Sequence, residues 1–193
     1  EPYRRQRQMC IRDSFRTITH HRHLVQKYCF RVGLYWRGLT HDLSKYSPTE
    51  FWRGAKYYQG TFSPTQQERR ENGYSLAWMH HKGRNRHHFE YWTDVSPVTH
   101  QYEPLEMPTE FFVEMCMDRI AASRTYLGDQ YHDGAPLEYL QRAGDNRWMH
   151  PVTARKLRFI LTMLRDKGEE KTFRFIREVV LQELPFAEDD MEQ

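Results

Sequence analysis

The chain has 193 residues, enough for one domain to bury a continuous core without disulfide bonds. Aromatic residues make up 15% of it, which excludes an intrinsically disordered protein even though the mean hydropathy is −0.92. A formal charge of +3 is too small to indicate nucleic-acid binding as the main role, and no apolar run reaches the ~20 residues of a membrane span. The three cysteines fit no metal-ligand spacing, so we expect reduced thiols in a cytoplasmic protein.

The first third of the chain is predicted to be helical. Apolar residues recur on one face from residue 13 to residue 32, at the period of an α-helix. Gly33 and Gly38 predict a short connection, and we expect the next helix to contain residues 39–43.

Two Ser-Pro pairs predict further helix starts, because Ser is a favoured N-cap and Pro fits the first helical turn. One helix is expected to begin at Ser47-Pro48, followed by a loop over residues 54–63. Another is expected to begin at Ser63-Pro64 and to continue towards Gly83, with Gly73 as a weak point.

The second half contains longer helical patterns. Three prolines predict an irregular, exposed segment from residue 94 to residue 108, and a periodic helix then extends from Pro108 to Gly128. A loop over 128–135, a helix beginning at Pro151, a final helix around residues 173–181 and a frayed acidic tail at 188–190 complete the prediction. We find no alternating strand pattern and no internal repeat, so the predicted fold is all-α.

The strongest functional signal is the dipeptide His41-Asp42, with Lys45 three residues after Asp42. It is accompanied by histidines at 20, 21, 23, 80, 81, 87 and 88 and by Asp118. Imidazole nitrogen and carboxylate oxygen suit Mn, Fe, Ni, Co or Zn. We predict that Asp42 bridges two divalent ions and that His41 binds one of them.

The other ligands must come from different helices, since one helix cannot surround a metal ion. Of the three upstream histidines, only His21 shares the apolar face of Ile18 and Val25, so it is the predicted ligand. The alternatives His20 and His23 stay open, as does a purely structural role for His21 in the core.

Two His pairs follow downstream. His81 and His88 are seven residues apart, which in an unbroken helix places them about 10 Å apart, too far for ligands of ions ~4 Å apart. We expect Gly83 to break the helix and predict His81 and His88 as ligands, with His80 and His87 as open alternatives.

Asp118 is the predicted last ligand. It lies in an otherwise apolar stretch, where a carboxylate is costly unless it is paired or bound to metal. The alternatives are a salt bridge to Arg119 or Arg124 and simple exposure between the apolar positions.

This order of residues, from His21 through His41-Asp42 to the late Asp118, resembles the HD superfamily of metal-dependent phosphohydrolases. The segment from Trp78 to Trp92 is similar to a poorly characterised branch, with a His, a basic spacer containing Asn, and a His-His pair before aromatics. The resemblance covers residues 20 to about 126. It implies one HD-type helical bundle over 1–193, with a metal-site core at about 14–128 and C-terminal helices at about 136–184.

The resemblance also implies hydrolysis of a small phosphorylated substrate, such as a phosphate ester or nucleotide, by two divalent ions. Asp42 and Lys45 are then the catalytic candidates, and Lys45, Lys82, Arg84 and Arg86 the candidates for binding phosphate. Two alternatives remain: a di-iron oxygenase of the same superfamily, and a non-catalytic binding module with a vestigial metal site. The interval from His21 to His41 is short for the superfamily, which leaves the substrate open.

Overall fold

The computed structural model describes residues 2–60, 62–144 and 148–187, with side chains from residue 11 onward. Within these residues the all-α prediction is confirmed, because eight α-helices are accompanied by one two-stranded sheet. The helices are α1 (Pro2–Val32), α2 (Tyr35–Thr40), α3 (Pro48–Lys56), α4 (Pro64–Asn72), α5 (Leu76–Lys82), α6 (Thr109–Leu127), α7 (Ala135–Ala143) and α8 (Pro151–Phe175). No helix in this part of the chain has the length and apolar character needed to cross a membrane.

The hydrophobic core lies where α1, α6, α7 and α8 pack together. Tyr28 on α1 contacts Phe173 on α8 edge to face, with ring centroids 5.3 Å apart. The largest core contributions are Val25, Tyr28, Cys29 and Val32 from α1, a nearly continuous run from Phe111 to Met117 on α6, and Leu157, Ile160, Leu161 and Leu164 from α8. This arrangement fixes α1 against α6. The helix α3 packs against both α1 and α5.

Cys29 and Cys116 are buried and form no disulfide bond within the described residues. Burial raises the pKa of Cys116 to about 12, so this thiol stays protonated at neutral pH. The side chain of Cys10 lies outside the described residues.

The predicted second helix is wrong at its C-terminal end. The helix α2 ends at Thr40, and Asp42 has left-handed backbone angles of φ 52° and ψ 26° before a short 3-10 turn at Leu43–Tyr46. Aspartate is one of the few non-glycine residues that tolerate this conformation. The break therefore places His41 and Asp42 in a buried turn between helices rather than on a helix.

Several other boundaries also differ from the prediction. The helix α3 continues to Lys56 into the predicted loop, and the predicted 64–83 helix is two helices, because Gly73 adopts φ 81° and ends α4. The stretch α8 has non-helical backbone angles at Gly168 (φ 77°, ψ 170°), which divide it into two helical parts. The predicted final helix is therefore separate, but it begins after Gly168 and passes into a π-turn at Ile176–Val180. A 3-10 turn at Gly128–Gln130 occupies part of the predicted 128–135 loop, and the acidic residues 188–190 lie outside the described residues.

The segment 94–108 was expected to be irregular, but it contains an antiparallel hairpin of β1 (Thr93–Val95) and β2 (Tyr102–Pro104). All three residues of β1 are exposed, and those of β2 are exposed or half-buried. Because neither face of the ribbon is buried in the core, the sequence lacks the apolar-polar alternation that marks a half-buried strand.

Candidate metal centre

The fold brings all six predicted metal-binding residues into one cluster. The helix α1 positions His21, the turn after α2 positions His41 and Asp42, α5 positions His81, and α6 positions Asp118. Gly83 ends α5 as expected, and the following residues fold back so that the rings of His81 and His88 lie 4.8 Å apart.

The cluster divides into two sets of potential ligands that share Asp42. One set is His21, His41, Asp42 and Asp118, and the other is Asp42, His81, His87 and His88. Within each set, one nitrogen or oxygen atom from every residue lies within 4.8 Å of the others. His87, which was left open in favour of His88, is therefore part of the cluster, and both members of the pair contribute.

The two carboxylate oxygens of Asp42 face different sets. Oδ2 lies 3.4 Å from His41 Nε2 and 3.9 Å from His21 Nε2. Oδ1 lies 3.2 Å from His81 Nε2 and 3.4 Å from His87 Nε2. A carboxylate placed in this way can bridge two cations, one on each oxygen.

Most atoms that point into the cluster lack hydrogen bonds. Among the described residues, the Nε2 atoms of His21, His41, His87 and His88 and Oδ1 of Asp42 are buried without a hydrogen-bond partner, whereas Asp42 Oδ2 lies 2.6 Å from the Lys45 ammonium. His21 Nε2 lies 2.9 Å from Asp118 Oδ1, but without the geometry of a hydrogen bond. Buried polar atoms are almost always satisfied in folded proteins, so five convergent exceptions indicate a ligand, and the donor set fits divalent metal.

Two buried glutamates contact the Nδ1 atoms of three histidines in the cluster. Glu114 Oε1 lies 2.8 Å from His41 Nδ1 and 3.1 Å from His87 Nδ1, and Glu50 Oε2 lies 2.7 Å from His81 Nδ1. With Nδ1–H donating to a carboxylate, each Nε2 keeps its lone pair for a metal, as in carboxylate–histidine–metal arrangements. The two glutamates were missed by sequence reasoning, although Glu114 lies one helical turn before Asp118.

The electrostatics of the metal-free cluster match this arrangement at His21 and His88 only. At His41 and His81 burial opposes protonation, but the charge of Asp42 raises the pKa, so metal binding would have to displace a proton from these two rings. Burial, reinforced by the charge of Lys45, lowers the pKa of His21, and burial together with His87 lowers the pKa of His88 well below its usual value. These two rings are therefore neutral at pH 7, the state a metal ligand requires. Burial alone would raise the pKa of Asp42, but the charges of His41 and Lys45 hold it well below the usual range.

The remaining candidates lie outside the cluster. His20 and His23 are exposed, and the half-buried His80 contacts Glu50 through its Nδ1. His100 and His132 are exposed, as expected for the loop histidines, and His150 is half-buried.

The four basic residues predicted to bind phosphate do not form one group. Lys45 Nζ lies 2.6 Å from Asp42 Oδ2, whereas Arg84 and Arg86 line a separate cavity of about 230 Å³ beside His87, which Lys45 does not line. Lys82 is half-buried at the end of α5 and does not line this cavity.

A protein-family model described as a family of unknown function (DUF5662) matches residues 10–163. The chain belongs to this family. The part matched to DUF5662 contains both sets of potential ligands and the two glutamates behind them. Comparison with curated proteins and with solved structures found no match.

Proposed function

We propose that this chain is a metal-dependent phosphohydrolase that acts on a phosphate ester or nucleotide through a dinuclear His/Asp centre. The observation that supports the proposal most strongly is Asp42, a 1% exposed carboxylate whose two oxygens face two different sets of ligand atoms. The chain order of these ligands also supports a place for DUF5662 in the HD superfamily.

When bound, a pair of divalent ions supplies an activated water and charge neutralisation for a phosphoryl group. The residues of the chain provide the donors: His21, His41 and Asp118 for one ion, and the histidines at 81, 87 and 88 for the other, with Asp42 common to both. The metal type is among Mn, Fe, Ni, Co and Zn, since no thiolate contributes to either set.

Lys45 is the basic group best placed to bind the substrate phosphate. Its side chain is 31% exposed while its ammonium lies 2.6 Å from Asp42 Oδ2, so it connects solvent with the cluster. Burial would lower its pKa, but the charge of Asp42 raises it, so the ammonium stays charged at neutral pH. Asp118, with 17% side-chain exposure, marks the same open side of the cluster.

The proposal is tested by metal content and turnover together. We expect the purified chain to contain two metal ions by elemental analysis and Asp42→Asn to lose most of them, because an amide offers only one oxygen. Mn²⁺, Co²⁺ or Ni²⁺ should support slow hydrolysis in a screen of nucleotides and sugar phosphates. Lys45→Ala should reduce that turnover more than it reduces metal content, and the exposed His132→Ala serves as the control.

Two outcomes would contradict the proposal. If Asp42→Asn retained two metal ions, Asp42 would not be the residue that links them. No hydrolysis with any metal, together with oxygen consumption by iron-loaded protein, would favour the di-iron oxygenase instead.

A further inference from the structure

An open polar cavity lies next to the proposed metal centre and shares His87 with it. Its volume is about 230 Å³, and its lining includes three arginines, Arg37, Arg84 and Arg86, together with His87 and Glu114. His87 directs Nε2 towards Asp42 and Nδ1 towards Glu114. The lining contains neither Lys45 nor Asp118, so the cavity is distinct from the open side of the metal centre.

The charge of this cavity is positive. Arg37 is paired with Glu110 through two contacts of 3.1 and 3.0 Å. Among the described side chains, Arg84 donates from Nη1 to the His80 carbonyl at 3.4 Å and the Arg86 guanidinium lies 5.8 Å from the centre of the Tyr91 ring, but neither arginine forms an ion pair with a described carboxylate. The one carboxylate in the lining, Glu114, already accepts from His41 and His87. Two guanidinium groups therefore remain without an acidic partner in the described part of the chain.

The loop that presents these guanidinium groups is held in place. Asn85, between the two arginines, donates from Nδ2 to Ser44 Oγ and to the His81 carbonyl, both at 2.8 Å. The Arg86 carbonyl accepts from Trp92 Nε1 at 2.7 Å. Because the backbone on both sides is bonded to the core of the site, little loop ordering is needed when the arginines bind a ligand.

The size and charge of the cavity define the ligand. A volume of about 230 Å³ lies below the roughly 300 Å³ at which pockets for drug-sized ligands begin. A water molecule takes about 30 Å³, so there is room for one phosphate group with a few waters. Guanidinium forks match phosphate oxygens through paired hydrogen bonds.

We propose that the cavity lined by Arg84 and Arg86 is a binding site for a phosphate-type anion, separate from the metal centre. The site is formed by protein atoms alone, so it does not depend on the proposed hydrolysis.

The test is calorimetric titration of inorganic phosphate into the full chain, as purified and after removal of metal with a chelator. The test variant is Arg84→Gln/Arg86→Gln. Its matched control is Arg158→Gln/Arg174→Gln, which removes the same charge from exposed positions of α8. Lys45→Ala reports on phosphate bound at the metal centre instead.

After metal removal, we expect the unchanged chain, the α8 control and Lys45→Ala to bind one phosphate with the same affinity. The metal-loaded chain should keep this site, and Lys45→Ala should weaken only a second phosphate bound at the metal centre. The Arg84→Gln/Arg86→Gln variant should bind at least about tenfold more weakly, because charge-assisted hydrogen bonds are lost. If the double variant loses its helical circular dichroism, the two single variants replace it.

The proposal is overturned if the double variant keeps the original affinity or if the α8 control weakens equally. It is also overturned if the metal-free chain binds no phosphate or if Lys45→Ala abolishes binding to the metal-free chain. Absence of hydrolytic activity would contradict the proposed function and leave this result unaffected.

Discussion

Glu114→Gln should weaken the binding of both metal ions, because one oxygen of Glu114 contacts a histidine from each ligand set. Its Oε1 lies 2.8 Å from His41 Nδ1 and 3.1 Å from His87 Nδ1, and the residue is 4% exposed. A hydrogen bond to a charged group contributes about 1.5–3 kcal/mol and a neutral one about 0.5–1.5 kcal/mol. The substitution therefore costs about 1–1.5 kcal/mol per histidine, which is roughly a tenfold loss of affinity for each ion.

The assay is competition for Co²⁺ between the protein and a chromophoric chelator, fitted to two stepwise affinities. Glu50→Gln should weaken one affinity only, because Glu50 contacts a single member of the two ligand sets, His81, besides the outlying His80. Glu110→Gln, one turn before Glu114 on α6 and half exposed, should change neither affinity. The reasoning is refuted if Glu114→Gln leaves both affinities intact or weakens only one.

Three further outcomes are expected. Asp118→Asn should reduce metal content in elemental analysis whereas His132→Ala should not; equal metal content in the two variants would contradict the assignment. Chelation should lower the melting temperature by roughly 10 °C where metal had been in thousandfold excess over Kd, without unfolding the chain; an unchanged melting curve would favour the vestigial module. The metal-free protein should be most stable near pH ~6.5, the ordinary pKa of histidine. Burial opposes protonation of His41 and His81, but the charge of Asp42 raises the pKa of both, so their contribution is lost as pH rises above that value. Burial lowers the pKa of His21 in the folded chain, so as pH falls below about 6.5 the unfolded chain binds the proton first and stability decreases. A melting temperature that changes in one direction only from pH 5 to pH 9 would contradict a maximum near this pH.

The helical fold was predictable because its signal is local. The apolar positions of α1 repeat along one face, and Ser-Pro pairs precede α3 and α4, so each helix is indicated by its own residues. Helix boundaries were less predictable where tertiary contacts decide them. The helix α2 ends at Thr40, where the chain enters the buried turn at His41 and Asp42, but no residue with a preference for helix ends marks this position in the sequence.

The candidate site was predictable in its ligand types but not in its connections. His21 shares an apolar helical face, which singled it out from two exposed neighbours. His87 could not be chosen over His88, because both follow Gly83 in a loop without a repeating period. Glu114 was missed because α6 is buried almost all round from Phe111 to Met117, so its periodicity does not distinguish a buried carboxylate from an exposed one.

On the proposed function, the left-handed backbone at Asp42 implies a conflict between stability and metal binding. An L-residue with φ 52° is held in a conformation that costs roughly 1 kcal/mol or more, and only glycine adopts it without penalty. Selection for stability alone would therefore favour glycine at this position, which would also remove a buried carboxylate from beside Asp118. On the proposed function, natural variants that no longer bind metal should have glycine at position 42 in an otherwise intact helical core.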